Sequence, residues 1–278
     1  MRNLILGGAQ FGDSYGKFVK TTKMSVEETE DILSYSKKSG INLIDLALNY
    51  KKADQNLSLI PSSKFFEYTT KFYYTRGKEQ ESLDLLQVQR TLLGVESFNT
   101  IFIHNWFELS AIDRTGAISF LKSLVDLNLT KKIGVSVYEV QELENVDANI
   151  DVIQAPLSFI NRQFLSSEKA CELNSEGVEF QARSIFHQGL LLNPSQNILM
   201  KFPEMESFIE FCSSRGFSYL EAALSIFDSQ ELFGSVLVGA INRMQIQEIV
   251  STPIQSTNVL VSTSGLNFSK EFSDPRNW

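Results

Sequence analysis

The chain has 278 residues, 43% of them hydrophobic and 21% charged, and a formal net charge of −8. That composition excludes a disordered or membrane-embedded chain, and the acidic balance argues against nucleic acid or an anionic membrane as partner, since both are held by clustered Lys and Arg. The two cysteines, Cys171 and Cys212, have no CxxC spacing and no companion histidines, so they read as buried small hydrophobes rather than as a disulfide or metal site.

In chain order, short runs rich in Ile, Val and Phe alternate with longer stretches of helical spacing. The first strand is NLILGG, 3–8, whose apolar segment is too short for a signal peptide. No later run approaches the roughly 20 apolar residues of a spanning helix, so a cytoplasmic protein is expected. Ser25 with Glu28 forms a capping box that opens a helix carrying Ile32 and Leu33, and Gly40 marks its stop. Strand INLIDLA, 41–47, follows, and KKADQNLSLI after Tyr50 leaves room for barely two helical turns before strand FEYTTKF, 66–72. Next come a helix at 79–93, strand NTIFIHN at 99–105, a helix at 111–126, strand KIGVSV at 132–137 and a helix at 138–146. Strand DVIQAPL at 151–157, a helix at 164–176, strand VEFQARSIF at 178–186, a helix at 204–228, strand SVLVGA at 235–240 and a helix at 242–250 complete the series. No linker divides the chain, so 1–278 reads as one domain with a polar tail at 252–278. Eight alternations predict a single closed (β/α)8 TIM barrel, because a parallel crossover needs a helix and eight such units can close; an open doubly wound sheet is the runner-up.

In a barrel of this kind, chemistry belongs at the C-terminal ends of the strands. Asp45 lies late in the second strand, on the same face as Ile41 and Leu43 by the two-residue period. A carboxylate facing inward costs several kcal/mol unless a cation meets it, and Lys71, one strand over at the same level, is the candidate. Tyr50 follows five residues after Asp45, and His104 closes the fourth strand. Together they suit protonation of a carbonyl oxygen as a hydride reaches its carbon. Bringing a phenol of pKa near 10 toward neutrality takes about 3 units, or roughly 4 kcal/mol. A lysine ammonium within about 4–6 Å supplies that kind of stabilisation, and a carboxylate behind it keeps it charged. Singly, each of the four has an ordinary structural reading; their convergence on one rim is what points to a site. Lys71 as the Schiff-base amine of a lyase, dehydratase or epimerase is a further reading.

These residues resemble the aldo-keto reductase family: GINLIDLALNY is similar to its G-x-N-x-I-D-T-A-x-x-Y element, TTKF to its strand-three lysine and IFIHNW to its strand-four histidine. The resemblance runs on through KKIGVSV, DVIQAPL, ARSIFHQGLLL and VLVGAINRMQIQEI, in order and over essentially the whole chain. It implies a barrel that binds NADP(H), or NAD(H), extended across its mouth and reduces the carbonyl of a small aldehyde or ketone, a sugar-derived compound among the candidates. The absence of GxGxxG and of a P-loop agrees with that. By resemblance Tyr50 is the general acid, Lys71 and Asp45 tune it, and His104 orients the carbonyl. Ser136 and Gln154 match positions that hold the nicotinamide carboxamide. Arg183 stands where many members stack an aromatic on the nicotinamide, and Ser184, Phe186 and Gln188 continue the loop across the pyrophosphate. Gly239, Gln245 and Glu248 belong to the loop and helix at the adenosine end, where a helix N-terminus suits a phosphate.

Departures accompany the match. KKAD follows Tyr50 where G-x-S-E is usual, Val137 replaces an Asn, Gln245 an Arg of NADP-selective members, and Ile249 an Asn. The last three prompt an alternative, a nucleotide-binding barrel that has lost catalysis and serves as a regulatory or assembly subunit. His187 reads as a pocket-rim or cofactor-side residue, otherwise as surface. Phe11, Phe72 and Trp106 flank the site and would wall an apolar substrate pocket, unless they belong to the core.

Overall fold

The computed structural model describes residues 2–12, 24–50, 52–146, 149–254 and 268–274. Eight parallel strands close in sequence order: β1 Leu4–Gly7, β2 Leu43–Asp45, β3 Glu67–Phe72, β4 Phe98–Ile103, β5 Thr130–Ser136, β6 Val152–Pro156, β7 Glu179–Arg183 and β8 Phe233–Val238. β1 pairs with β2 on one side and with β8 on the other, Leu4 opposite Val236 and Leu6 opposite Val238, which excludes the open sheet. Each of the eight expected strands is present.

The helices around the barrel are α1 Val26–Lys38, α2 Ala53–Ser58, α3 Glu79–Leu93, α4 Ala111–Asp126, α5 Glu168–Ser175, α6 Gln196–Lys201, α7 Met205–Arg215, α8 Tyr219–Asp228, α9 Arg243–Ser251 and α10 Lys270–Ser273. α1 opens on the Ser25–Glu28 capping box and buries Ile32 and Leu33. The stretch expected as one helix over 204–228 is two. Gly216 takes the left-handed conformation at φ 67, which ends α7, and a capping box between Ser218 and Glu221 starts α8. The expected helix at 138–146 is a 3-10 helix, Val140–Asn145. Val140, Leu143 and Val146 recur every three residues there, which suits 3.0 residues per turn rather than 3.6. After Tyr50 the chain makes only α2, six residues long, and a 3-10 turn at Pro61–Phe65.

Cys212 is buried, whereas Cys171 is exposed, because it sits on the outer face of α5 away from Ala170 and Leu173. At Gly134 the interior requires a glycine. A Cβ on Gly134 of β5 would collide with the Phe102 ring, so that residue lets an aromatic fill the barrel beneath the mouth. Most of the tail at 252–278 lies outside the described residues. Within the described ones no helix is long and apolar enough to cross a membrane.

Candidate active site

A cleft of about 600 Å³ opens at the C-terminal ends of the strands, lined in part by Asp45, Tyr50, Lys71 and His104. The register sets Thr69, not Lys71, opposite Asp45; Lys71 stands two residues higher and its long side chain reaches back down. Lys71 Nζ forms an ion pair with Asp45 Oδ2 and donates to the Leu46 carbonyl at 3.2 Å. Both side chains are buried, at 2% and 3% exposure, so the attraction acts where water cannot weaken it. Asp45 Oδ1 accepts from Thr69 Oγ1 at 2.8 Å and from Gln154 Nε2 at 3.0 Å. Each carboxylate oxygen is thereby engaged.

Tyr50 follows the turn after β2, half-buried, with Lys71 Nζ 5.8 Å from its ring centroid. The Phe102 ring centroid lies at the same distance from the ammonium, 5.8 Å. Burial pushes Lys71 below the ordinary lysine range while Asp45 pulls it back. His104 follows β4, its backbone N–H donating to the Phe72 carbonyl at 2.8 Å. Burial first, then the cations Lys71 and Arg183, push its imidazole down to about 3, so it is neutral near pH 7. Its Nδ1 is buried and has no hydrogen-bond partner among the described residues.

Ser136 and Gln154 face each other across β5 and β6 and both line the cleft. Gln154 Nε2 is engaged by Asp45, and its buried Oε1 has no partner among the described residues. Arg183, Ser184, Phe186 and Gln188 line the far wall with Gly239 and Gln245. Ser184, His187 and Gln188 all hold positive φ, at 63, 51 and 54. Left-handed backbone at non-glycine residues costs on the order of 1–3 kcal/mol each and persists where neighbours enforce it. Gln245 Oε1 accepts from the Ile241 N–H at 3.0 Å, and Asn242 caps α9 by accepting from the Gln245 N–H at 2.9 Å. Glu248 lies one turn further along α9, exposed and outside the lining.

The aromatic wall differs from the expected one. Phe11, Phe72 and Trp106 are core residues at 2%, 2% and 0% exposure, and none lines the cleft. The reason is the two-residue period: Lys71 points inward, so Phe72 points out toward α4, where it meets Phe120, and Tyr73 returns to the mouth. The Tyr73 ring sits 5.1 Å from that of His104. Likewise Ser136 faces in, Val137 out, and Tyr138 in. Trp106 is enclosed beside Arg114, and in the first loop Gln10 rather than Phe11 reaches the cleft. His187 is neither rim nor surface. It is buried at 1% exposure, with Nδ1 3.4 Å from Ser158 Oγ and Nε2 3.2 Å from the Phe272 carbonyl of α10.

A closed parallel barrel with a cleft at its C-terminal mouth defines a (β/α)8 barrel protein. The sequence profile of the Aldo/keto reductase family matches residues 3–253, and the chain belongs to that family, whose members are oxidoreductases of carbonyl compounds. A crystal structure of a Pseudomonas aeruginosa protein provisionally assigned as an aldo-keto reductase is similar, with a TM-score of 0.66 at 16% identity, over 90% of this chain and 89% of that one. A second structure of a provisionally assigned aldo-keto reductase from the same organism gives a TM-score of 0.67 at 15% identity, over 90% and 88%. At such identity the likeness speaks for the fold alone. No curated protein matches the chain.

Proposed function

We propose that the chain is an NAD(P)H-dependent reductase that converts an aldehyde or ketone to its alcohol, with Tyr50 giving the proton. The observation that carries this reading is the convergence of the buried Asp45–Lys71 pair with Tyr50 and His104 at one end of the cleft. A cation close to the phenol favours the phenolate and so makes Tyr50 a better acid. Asp45 keeps the ammonium charged and aimed. Neutral His104 hydrogen-bonds the substrate oxygen and fixes the carbonyl within reach of Tyr50.

The residues present fit a nicotinamide dinucleotide. The unpartnered Gln154 Oε1 is an acceptor suited to a carboxamide NH₂, with Ser136 beside it. The strained loop carrying Ser184 and Gln188, then Gly239 and Gln245 near the start of α9, would follow the phosphates and the adenosine end. When bound, the nicotinamide supplies the hydride. NADPH is the expected cofactor and NADH the comparison.

Oxidation of each is to be followed with a panel of aldehydes and ketones, then repeated with Tyr50→Phe. The variant should lose roughly 10² to 10⁴ in kcat. Unchanged turnover would remove Tyr50 from the mechanism, and tight NADPH binding with no turnover of any carbonyl is the outcome a regulatory subunit would give.

A further inference from the structure

Arg183 is a cation of the cleft that the mechanism above does not use. It ends β7 on the inward face, two residues after Gln181, and reaches across to the end of β5. There Nη2 donates to the Val137 carbonyl at 2.8 Å, and the guanidinium covers the Tyr138 ring with 4.1 Å between carbon and centroid. Its Nε is buried without a hydrogen-bond partner among the described residues. Among the described residues no carboxylate pairs with it. Asp45 is the one carboxylate among the described residues of the lining, and its oxygens are taken by Lys71, Thr69 and Gln154. Two cations against one anion thus face the cleft, in a chain whose net charge is −8. The surplus is felt at the reacting groups, since Arg183 is among the causes that push His104 and Lys71 down.

An idle buried donor on a fixed guanidinium is costly unless a ligand completes it. Two features narrow the ligand. Arg183 is anchored over the Tyr138 ring, and the planar donors of a guanidinium match a carboxylate. It is also a single charge with one nitrogen already committed to Val137, and the neighbouring Lys71 is committed to Asp45, whereas a dianionic phosphate calls for more than one cation.

We propose that Arg183 binds a carboxylate carried by the substrate, so that the preferred substrate is an oxo acid, an aldehyde or ketone bearing an acid group away from the reacting carbonyl. This rests on the reductase reading, and the experiment separates the two. Pairs of carbonyl compounds that differ in the acid group are compared: 3-carboxybenzaldehyde against 3-methylbenzaldehyde, and succinic semialdehyde against butanal. kcat/KM is measured at saturating NADPH. In parallel, calorimetry measures binding of the product pair 3-(hydroxymethyl)benzoate and 3-methylbenzyl alcohol, which needs no chemistry.

The acid member of each pair should be favoured by about 10- to 100-fold, chiefly through KM, as a charge-assisted hydrogen bond provides. Arg183→Gln should collapse that ratio toward one, and Arg183→Lys should keep part of it. A ratio near one in the natural protein, or one that survives Arg183→Gln, overturns the assignment. So does an equal loss for both members together with weakened NADPH binding, which would place the guanidinium on the cofactor. If no carbonyl is reduced, the alcohols decide: selective binding of the acid that Arg183→Gln abolishes supports the site while the reductase reading falls, and no selective binding sinks the site as well.

Discussion

Asp45 works in two directions: Oδ2 holds Lys71 near Tyr50, and Oδ1 holds Gln154, whose other amide atom is buried without a partner among the described residues. In the proposed mechanism one carboxylate therefore aligns the proton-giving and amide-binding halves of the site. Its burial makes the pair vulnerable. Lys71→Met leaves Asp45 charged and enclosed, and a stability loss of roughly 3–5 kcal/mol is expected from urea unfolding, much of it regained in the Asp45→Asn/Lys71→Met double variant. If the single and double variants are equally stable, the pair is not coupled as described. The histidines give a pH dependence of definite sign. Burial holds His104 and His187 down to about 3, below the ordinary 6.5, so folding keeps both neutral. Their contribution is complete above about pH 6.5 and is lost as pH falls toward 3, at on the order of 1 kcal/mol per pH unit for each. His187→Asn should flatten the acid limb of stability against pH, and an unaltered limb would contradict this. In the sequence, Asp45 and Lys71 were legible as a pair because a carboxylate on a strand's inward face demands a cation. The Gln154 link was not, since it spans 109 positions and only closure of the barrel brings its ends together. Tyr73 and Tyr138 were within reach of the two-residue period applied from Lys71 and Ser136, whereas proximity in sequence pointed instead to Phe72 and Trp106.

At the scale of elements, hydrophobic period located the strands, and end signals decided what period could not. Gly216 and the Ser218–Glu221 box lie inside one continuous apolar pattern, so the pattern joins α7 to α8 where the backbone divides them. The same holds after β5, where a spacing of three rather than of three and four selects a 3-10 turn. The β7 loop shows the limit of local reading: it holds three left-handed non-glycine residues, and of these His187 is anchored by distant partners, Ser158 and the Phe272 carbonyl. No sequence signal near Ser184 foretells that conformation. The helix boundary is testable. Ser218→Ala removes the acceptor of the Glu221 N–H, and a loss of about 1 kcal/mol in denaturant unfolding is expected. Because α8 starts away from the cleft, kcat/KM should be unchanged, and a loss of activity without loss of stability would mean that α8 reports to the site.

At the scale of the molecule, the barrel separates its two ends. The mouth gathers most of the buried, unpartnered polar side-chain atoms among the described residues, whereas the opposite end carries a buried, bidentate ion pair. Arg2, just before β1, donates from Nε to Asp228 Oδ1 at 2.7 Å and from Nη2 to Oδ2 at 2.6 Å. It also donates to the carbonyls of Thr252 at 2.6 Å and Pro253 at 2.8 Å. One side chain thus ties the chain's start to the end of α8 and to the segment after α9, at the seam where β1 meets β8. The two charged side chains are only 4% and 1% exposed, so the bidentate pair is dry. Removing the guanidinium takes this bidentate cation from a dry carboxylate, and Arg2→Met should cost roughly 3–5 kcal/mol in denaturant unfolding. Below its unfolding transition the same variant should bind NADPH and turn over carbonyls within about twofold of the natural protein, because the seam lies at the stability face of the barrel rather than at the face of its chemistry. Tyr50→Phe should do the reverse, losing turnover at nearly constant stability. The division of labour fails if Arg2→Met depresses kcat at temperatures where circular dichroism shows the variant fully folded.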